Sequence, residues 1–124
     1  VPKGKGFFIT PGLIDTTNLK ERFDEEIFGP ILQVHFVGSF SEAIDEANNT
    51  KFGLAASLIS DSRSLFDQFH SSINSGLVNF NATTTGASGA LPFGGVGKSG
   101  NYRPAGFYAA DFCAWPKSSV LKKL

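Results

Sequence analysis

The chain is short of several residue types, and each shortage narrows what the protein can be. It has 124 residues with no Met, one Cys and one Trp, and its formal net charge is +0. A single Cys excludes an intrachain disulfide and is typical of a reducing compartment, so we expect a cytoplasmic protein. The balanced charge lacks the basic excess of a nucleic-acid-binding surface. No apolar stretch approaches the roughly 20 residues of a membrane span, and the N-terminus lacks a signal-peptide core.

The distribution of apolar residues predicts an α/β fold. Strands are predicted at 6–11, 31–37, 53–60 and 77–80, helices at 19–25, 40–48 and 63–73, and a late aromatic strand at 107–115. From residue 31 onwards the order is strand, helix, strand, helix, strand with short connections. This order predicts an open, mainly parallel sheet with helical crossovers. The length allows one domain at most.

The first candidate site is the run from Glu25 to Pro30. As plain structure it is a turn between helix and strand, in which Phe28 packs into the core. That interpretation gives no reason for a carboxylate and a ring spaced by two, Glu26 and Phe28. A carboxylate accepts hydrogen bonds from the two hydroxyls of a ribose, and a nearby ring packs against a planar nicotinamide. Both interpretations are open at this point.

A glycine-rich segment at 91–100 resembles two phosphate-binding motifs without fitting either. It contains Gly97-Lys98-Ser99, but a P-loop needs a glycine five positions before Gly97, where Pro92 stands. The glycines at 95, 97 and 100 nearly match a dinucleotide fingerprint, yet prolines at 92 and 104 bracket a loop instead of a strand and a helix. We expect these glycines to serve backbone geometry with positive φ.

The polar stretch before this segment is the candidate substrate site. Residues 81–89 are rich in hydroxyl groups and small side chains, a composition that suits a flexible surface loop. The stretch 81–104 also follows a predicted strand, where sheets of this kind carry functional loops. Free backbone N–H groups beside hydroxyl donors form a nest that binds a carboxylate. The candidate anchor residues are Thr85, Gly86, Ala87 and Ser88.

The two runs, from Glu26 to Pro30 and from Pro92 to Gly100, together resemble the C-terminal part of the NAD(P)-dependent aldehyde dehydrogenase superfamily. There the matching glutamate holds the nicotinamide ribose and the matching phenylalanine flanks the nicotinamide ring. The resemblance therefore implies cofactor-binding roles for Glu26 and Phe28, with NAD as the cofactor. In members that oxidise a carboxylate-bearing semialdehyde, a Gly-Ala pair before Pro-Phe-Gly-Gly binds that carboxylate, and Gly86-Ala87 matches it.

The resemblance extends over nearly the whole chain and narrows within the superfamily. Most members have an acidic, helix-forming segment after the Ser-Gly pair, where this chain has Asn101-Tyr102-Arg103-Pro104. Together with residues 84–88 and 108–116, this departure favours a dehydrogenase of a small-molecule semialdehyde that bears a carboxylate. Its mechanism would use a thiolate nucleophile, hydride transfer to the nicotinamide and hydrolysis of a thioester.

The same resemblance implies that this chain holds no catalytic residue. The nucleophilic cysteine, the general base and the nucleotide fold lie upstream in the superfamily, so the chain alone is expected to be inactive. Cys113 lies in an apolar aromatic segment, where a thiol is usually a packing residue, and no metal ligand set is expected. We expect residues 1–106 to be the C-terminal portion of the catalytic domain, completed by the missing N-terminal part of the enzyme. Residues 107–124 would form an oligomerisation strand and tail that pair with a second subunit.

Two classes of function remain open from the sequence. The first is a piece of a dehydrogenase, with glutamate semialdehyde as one alternative substrate. The second is a non-catalytic binding or assembly module that keeps the fold and lacks the chemistry.

Overall fold

A computed structural model describes residues 4–21 and 23–123, which form an α/β arrangement of short elements. The strands are β1 (Gly12–Asp15), β2 (Ile31–Val34), β3 (Ala55–Leu58), β4 (Leu77–Phe80), β5 (Pro92–Phe93) and β6 (Ala105–Gly106). The helices are α1 (Phe40–Asn48), α2 (Arg63–Ser72) and α3 (Ala109–Cys113), with a 3-10 helix at Gly97–Ser99. None of the helices in these ranges is long and apolar enough to cross a membrane.

The strands pair two by two rather than in one continuous sheet. β1 pairs with β2 and β3 with β4 in parallel, while β5 and β6 pair antiparallel. The α/β class and the parallel pairing agree with the sequence-based expectation. A single open sheet across all the strands stays a prediction. By its internal contacts the chain divides into two compact units, Val1–Glu46 and Ala47–Leu124.

In the first unit, β1 begins one residue after Pro11, so the strand predicted at 6–11 is misplaced. Proline has no N–H group to donate to a neighbouring strand. Pairing starts at Gly12, whose N–H donates to the Pro30 carbonyl at 2.8 Å. The pair closes at Thr16, which is buried and whose hydroxyl donates to the Val34 carbonyl at 3.1 Å.

Helix α1 forms where the sequence predicts it, because its first turn is capped from both sides. The Ser39 hydroxyl accepts from the Glu42 N–H at 3.2 Å. The Glu42 carboxylate in turn accepts from the Gly38 N–H at 2.7 Å. This reciprocal capping satisfies two backbone donors at the N-terminus of the helix. One turn further on, Ile44 is buried with 7% of its surface exposed.

In the second unit, α2 is the crossover between the parallel strands β3 and β4. The Ser62 hydroxyl accepts from the Leu65 N–H at 3.3 Å and so caps the N-terminus of the helix. The inward face of α2 packs on the sheet: the Phe66 ring lies 4.7 Å from the Phe80 ring, and Phe69 is only 7% exposed. The helix ends as the Ile73 N–H donates to the Phe69 carbonyl at 2.9 Å.

Two other sequence-based elements are wrong. The helix predicted at 19–25 is absent from its described residues, 19–21 and 23–25. Leu19 and Phe23 are 53% and 90% exposed, and so short a helix needs a buried face to be stable. The aromatic strand predicted at 107–115 contains the helix α3 instead. No described strand pairs with it, and a helical turn satisfies its backbone locally, as Asp111 N–H donates to the Tyr108 carbonyl at 3.1 Å.

Candidate functional site

The run predicted to hold the cofactor forms two consecutive tight turns that lead into β2. The Gly29 N–H donates to the Ile27 carbonyl at 2.9 Å, and the Ile31 N–H donates to the Gly29 carbonyl at 2.8 Å. Glu26 is exposed, and within the described chain its carboxylate makes no hydrogen bond. Phe28 is 91% exposed, so the interpretation that this ring packs into the core is wrong. A carboxylate and a ring therefore stand in solvent two residues apart in the first unit.

The loop that carries the predicted substrate anchor leaves the end of β4 in the second unit. Its turning point is Asn81, whose φ of +51° is in the left-handed region. The Asn81 side chain holds Ser60 at both polar groups: Oδ1 accepts from the Ser60 N–H at 2.9 Å and Nδ2 donates to the Ser60 carbonyl at 2.8 Å. Asn tolerates this conformation better than most residues because its short side chain bonds locally. Asn81 thus sets where the loop leaves the sheet.

After Asn81 the chain folds back over the strands it has just left. The Ser57 hydroxyl donates to the Ala82 carbonyl at 2.6 Å, and Asn79 Nδ2 donates to the Thr83 carbonyl at 2.7 Å. The hydroxyls of Thr83 and Thr85 then lie 2.8 Å apart. Two strand side chains therefore fix the first part of the loop, and a hydroxyl pair leads to the predicted anchor.

The anchor residues themselves present unoccupied backbone donors. Gly86, Ala87 and Ser88 are exposed, and their N–H groups make no hydrogen bond with any other described residue. Gly86 has φ +107°, a conformation that favours glycine, and nothing lies within 4 Å of where its Cβ would be. The sequence has no formally charged side chain between His70 and Lys98. The segment therefore presents exposed N–H donors beside hydroxyl groups in an uncharged stretch, and donors of this kind are chemically suited to an anion.

The glycine-rich segment at 94–100 is a packed structural feature, unlike the anchor. The Val96 N–H donates to the Gly53 carbonyl at 3.0 Å, and the Gly53 N–H donates to the Ser99 hydroxyl at 3.2 Å. A methyl group on Gly100 would overlap the Gly95 carbonyl oxygen. In this segment only Gly97 has a positive φ, +56°, so the expectation of positive φ holds there alone. The other glycines are needed for close backbone approach.

Other chemistry-bearing residues form no second site in the part of the chain that the structure describes. Cys113 is a free thiol, and it is exposed rather than packed as the sequence indicated. No group of three or more His, Cys, Asp and Glu side chains that could hold a metal ion occurs among residues 4–21 and 23–123.

Sequence reasoning missed Ser57 and Asn79 as residues of the candidate site. Ser57 and Asn79 each interrupt a short apolar strand, Ala-Ala-Ser-Leu and Leu-Val-Asn-Phe. A polar side chain inside such a strand needs a hydrogen-bond partner, which was the available signal. What the sequence could not supply was the partner, because the fold-back of the loop creates it.

The comparisons with known proteins define the class of this chain. The sequence profile of the Aldehyde dehydrogenase family matches residues 2–118. The chain belongs to the aldehyde dehydrogenase family, as its two motifs predicted.

A curated relative with a more specific name than the family is also similar to this chain. Over 113 residues the chain is 57% identical to an N-succinylglutamate 5-semialdehyde dehydrogenase of Sphingopyxis alaskensis, covering 91% of this chain and 24% of that protein. The chain thus spans about a quarter of the length of this curated relative.

Solved structures of the family resemble this fold. A 1-pyrroline-5-carboxylate dehydrogenase from Thermus with bound NAD is 37% identical, with a TM-score of 0.76, over 85% of this chain and 21% of that one. Aldehyde dehydrogenase 21 from Physcomitrella patens, in complex with the reaction product succinate, is 31% identical with a TM-score of 0.66, over 71% of this chain and 18% of that one.

Proposed function

We propose that this chain acts as part of an NAD-dependent dehydrogenase that oxidises N-succinylglutamate 5-semialdehyde to N-succinylglutamate, a step of arginine catabolism. The observation that carries the proposal is that the N–H groups of Gly86, Ala87 and Ser88 are exposed and make no hydrogen bond with the described residues. It is supported by the 57% identity to a relative that bears this activity in its name. The substrate carries carboxylates, and a nest of N–H donors beside the Thr85 hydroxyl provides the hydrogen bonds a carboxylate accepts.

The chain would contribute binding rather than bond-making. Glu26 would accept hydrogen bonds from the hydroxyls of the nicotinamide ribose, and the Phe28 ring would lie against the nicotinamide. Their exposure supports these roles, since both groups are accessible to a ligand. The cofactor, when bound, supplies the hydride acceptor. The thiolate and the general base would come from residues outside this sequence, so Cys113 has no part in the reaction.

The exposed apolar surface of the chain supports the proposal that it contacts other protein in a larger assembly. Ile44 and Phe69 are the only buried large hydrophobic side chains among the described residues. Many apolar side chains are exposed instead, including Phe107 and Trp115 at 63% and 92%. Exposed apolar surface of this kind marks contact with other protein. We propose that residues 1–106 complete a catalytic domain and that residues 107–124 contact a second subunit through these aromatic side chains.

An exchange experiment tests the proposed activity. The 124 residues replace the matching quarter of the Sphingopyxis alaskensis relative, and NADH formation is followed with N-succinylglutamate 5-semialdehyde, glutamate semialdehyde and propanal. Propanal has no carboxylate and is the matched control substrate. We expect kcat/KM for the first substrate to exceed that for propanal at least about tenfold, because one charged hydrogen bond contributes about 1.5–3 kcal/mol.

Three outcomes would change the proposal. A preference for glutamate semialdehyde would keep the reaction and replace the substrate. Equal kcat/KM values for propanal and the first substrate would show that no carboxylate anchor contributes to substrate selection. A folded exchange protein that binds NAD and forms no NADH would favour the non-catalytic module. The unmodified 124-residue chain is expected to form no NADH by itself.

A further inference from the structure

Ser57 and Asn79 form a matched pair at the base of the predicted substrate loop. In the parallel register of β3 and β4 they are direct partners, and both are half-buried. Register partners in a parallel pair project to the same face, and successive side chains alternate between faces. Ser57 and Asn79 therefore lie on the face opposite to Phe80, whose ring packs on α2 through Phe66. The helix covers one face of the strand pair, and the loop folds back over the other.

The two side chains bind consecutive carbonyl groups of that loop. Ser57 donates to Ala82 at 2.6 Å and Asn79 donates to Thr83 at 2.7 Å. Both bonds are short, and both are made by donors on the paired strands to acceptors on the exposed loop. Fixing two successive carbonyls leaves the peptide planes at 82 and 83 little freedom to rotate.

The effect of these bonds reaches the anchor through one further contact. The Thr83 hydroxyl lies 2.8 Å from the Thr85 hydroxyl, and Thr85 precedes the N–H groups of Gly86 to Ser88. We propose that Ser57 and Asn79 are positioning residues for the substrate carboxylate. They hold Ala82 and Thr83 so that the Thr85 hydroxyl and the nest that follows it keep the geometry that receives the anion. This inference rests on the proposed function.

The first test measures loop order in the 124-residue chain, independently of activity. Backbone ¹⁵N relaxation is compared in the wild type, Asn79→Ala, Asn79→Asp and the control Asn48→Ala. Asn48 makes two comparable hydrogen bonds, donating to the Ser72 carbonyl at 2.8 Å and accepting from the Asn74 N–H at 2.8 Å, away from the loop. We expect order parameters at residues 82–88 to fall in both Asn79 variants and to stay unchanged in Asn48→Ala.

Asn79→Asp keeps the size of the side chain and separates hydrogen bonding from packing. Its carboxylate places an acceptor opposite the Thr83 carbonyl where Nδ2 donated. If Asn79→Ala fails to fold, Asn79→Asp still tests whether the Asn79 hydrogen bond orders the loop. Wild-type order parameters at 82–88 in Asn79→Asp would overturn the proposal, as would an equal loosening of the loop in Asn48→Ala.

The second test uses the exchange enzyme described above and separates binding from turnover. For Asn79→Asp we expect KM for the semialdehyde to rise about tenfold, as for the loss of one hydrogen bond, with a smaller rise for Ser57→Ala. KM for NAD and kcat for propanal should change less than KM for the semialdehyde, because neither depends directly on the anchor. Equal losses for the semialdehyde and for propanal would indicate a purely structural role and overturn the proposal.

Failure of the proposed function is distinguishable from failure of this inference. If the unsubstituted exchange enzyme oxidises no carboxylate-bearing semialdehyde, the proposed function is wrong. The relaxation measurement would still show whether Ser57 and Asn79 order the loop. If the enzyme has the expected substrate preference and the Asn79 variants share it, the positioning role alone is wrong.

Discussion

Residues 81–89 and 94–100 are neighbours in one glycine-rich stretch, yet the structure holds them in opposite ways. The segment at 94–100 is fastened by backbone groups, such as the Val96 N–H on the Gly53 carbonyl at 3.0 Å. The loop at 81–89 is fastened by side chains from the strands, and beyond Thr85 its N–H groups are open. In the segment at 94–100, the N–H groups of residues 95, 96, 98, 99 and 100 already donate to backbone carbonyls. A loop held by side chains keeps donors available for a ligand.

The largest expected effect comes from the same substitution made in each region. Gly100→Ala places a methyl group on the Gly95 carbonyl oxygen, whereas Gly89 has nothing within 4 Å of the corresponding position. Neither glycine has a positive φ, so only the available space differs. We expect Gly100→Ala to lower the free energy of unfolding by about 3 kcal/mol, and Gly89→Ala to change it by at most about 0.5 kcal/mol. Urea unfolding followed by circular dichroism measures both free energies. Equal effects would show that the space around the glycine does not distinguish the two regions.

The next effect concerns Asn81, the turning point of the loop. Asn81→Ala loses both side-chain hydrogen bonds to Ser60 and puts Ala at a φ of +51°. We expect a loss of about 2 kcal/mol in the free energy of unfolding. Asn81→Gly loses the same bonds without the backbone cost, so it should be about 1 kcal/mol more stable than Asn81→Ala. If the Gly variant is instead the less stable of the two, the left-handed conformation is not the reason for Asn here.

A smaller effect is expected inside the anchor itself. Gly86 and Gly89 both have open space around the Cβ position, and they differ in that Gly86 has φ +107°. Gly86→Ala should therefore cost about 1 kcal/mol in unfolding free energy more than Gly89→Ala, through backbone strain alone. The two variants are compared in the same urea titration. Identical stabilities would show that the loop relaxes freely around position 86.

The smallest effect tests another turn held by a side chain, in the first unit. Hydrogen bonds from the Thr17 side chain and then its backbone lower the pKa of Asp15 below its usual 3.8. A carboxylate whose pKa is lower in the folded state contributes stability above its unfolded pKa and loses it as pH falls through the folded value. The stability difference between wild type and Asp15→Asn should therefore be constant near neutral pH and shrink as pH falls below 3.8.

Thermal unfolding of both proteins at a series of pH values measures this difference. Because Asp15 is exposed, the difference should be slight and should weaken with added salt. A difference that grows below pH 3.8 would have the wrong sign for a lowered pKa.

The sequence predicted best the elements whose signals are local. Helix α2 has a cap at Ser62 and an inward row that includes Phe66 and Phe69, and it begins at the predicted residue. The sequence also excluded a P-loop, because Pro92 stands at the position where that motif requires a glycine. The segment that resembled a P-loop forms a 3-10 turn bound to the backbone of residues 51–53.

The wrong predictions are those that depended on a neighbour. The apolar segment 107–115 has strand-like composition, yet without a pairing strand in the described chain it forms the helix α3. The short helix expected at 19–25 had no surface to cover its apolar residues. For the candidate site, the anchor at 85–88 was proposed from the sequence, and its assignment stays a prediction.

By itself, the sequence determined the family, the α/β class and the two capped helices. These follow from motifs, periodicity and capping groups, whose interactions span only a few residues. Tertiary structure alone decided which polar strand residues reach the loop, as Ser57 reaches Ala82 across 25 positions. It also decided that glycines at 94–100 serve close backbone packing. Such contacts depend on where the chain returns, and a linear pattern does not encode the distance between segments that folding brings together.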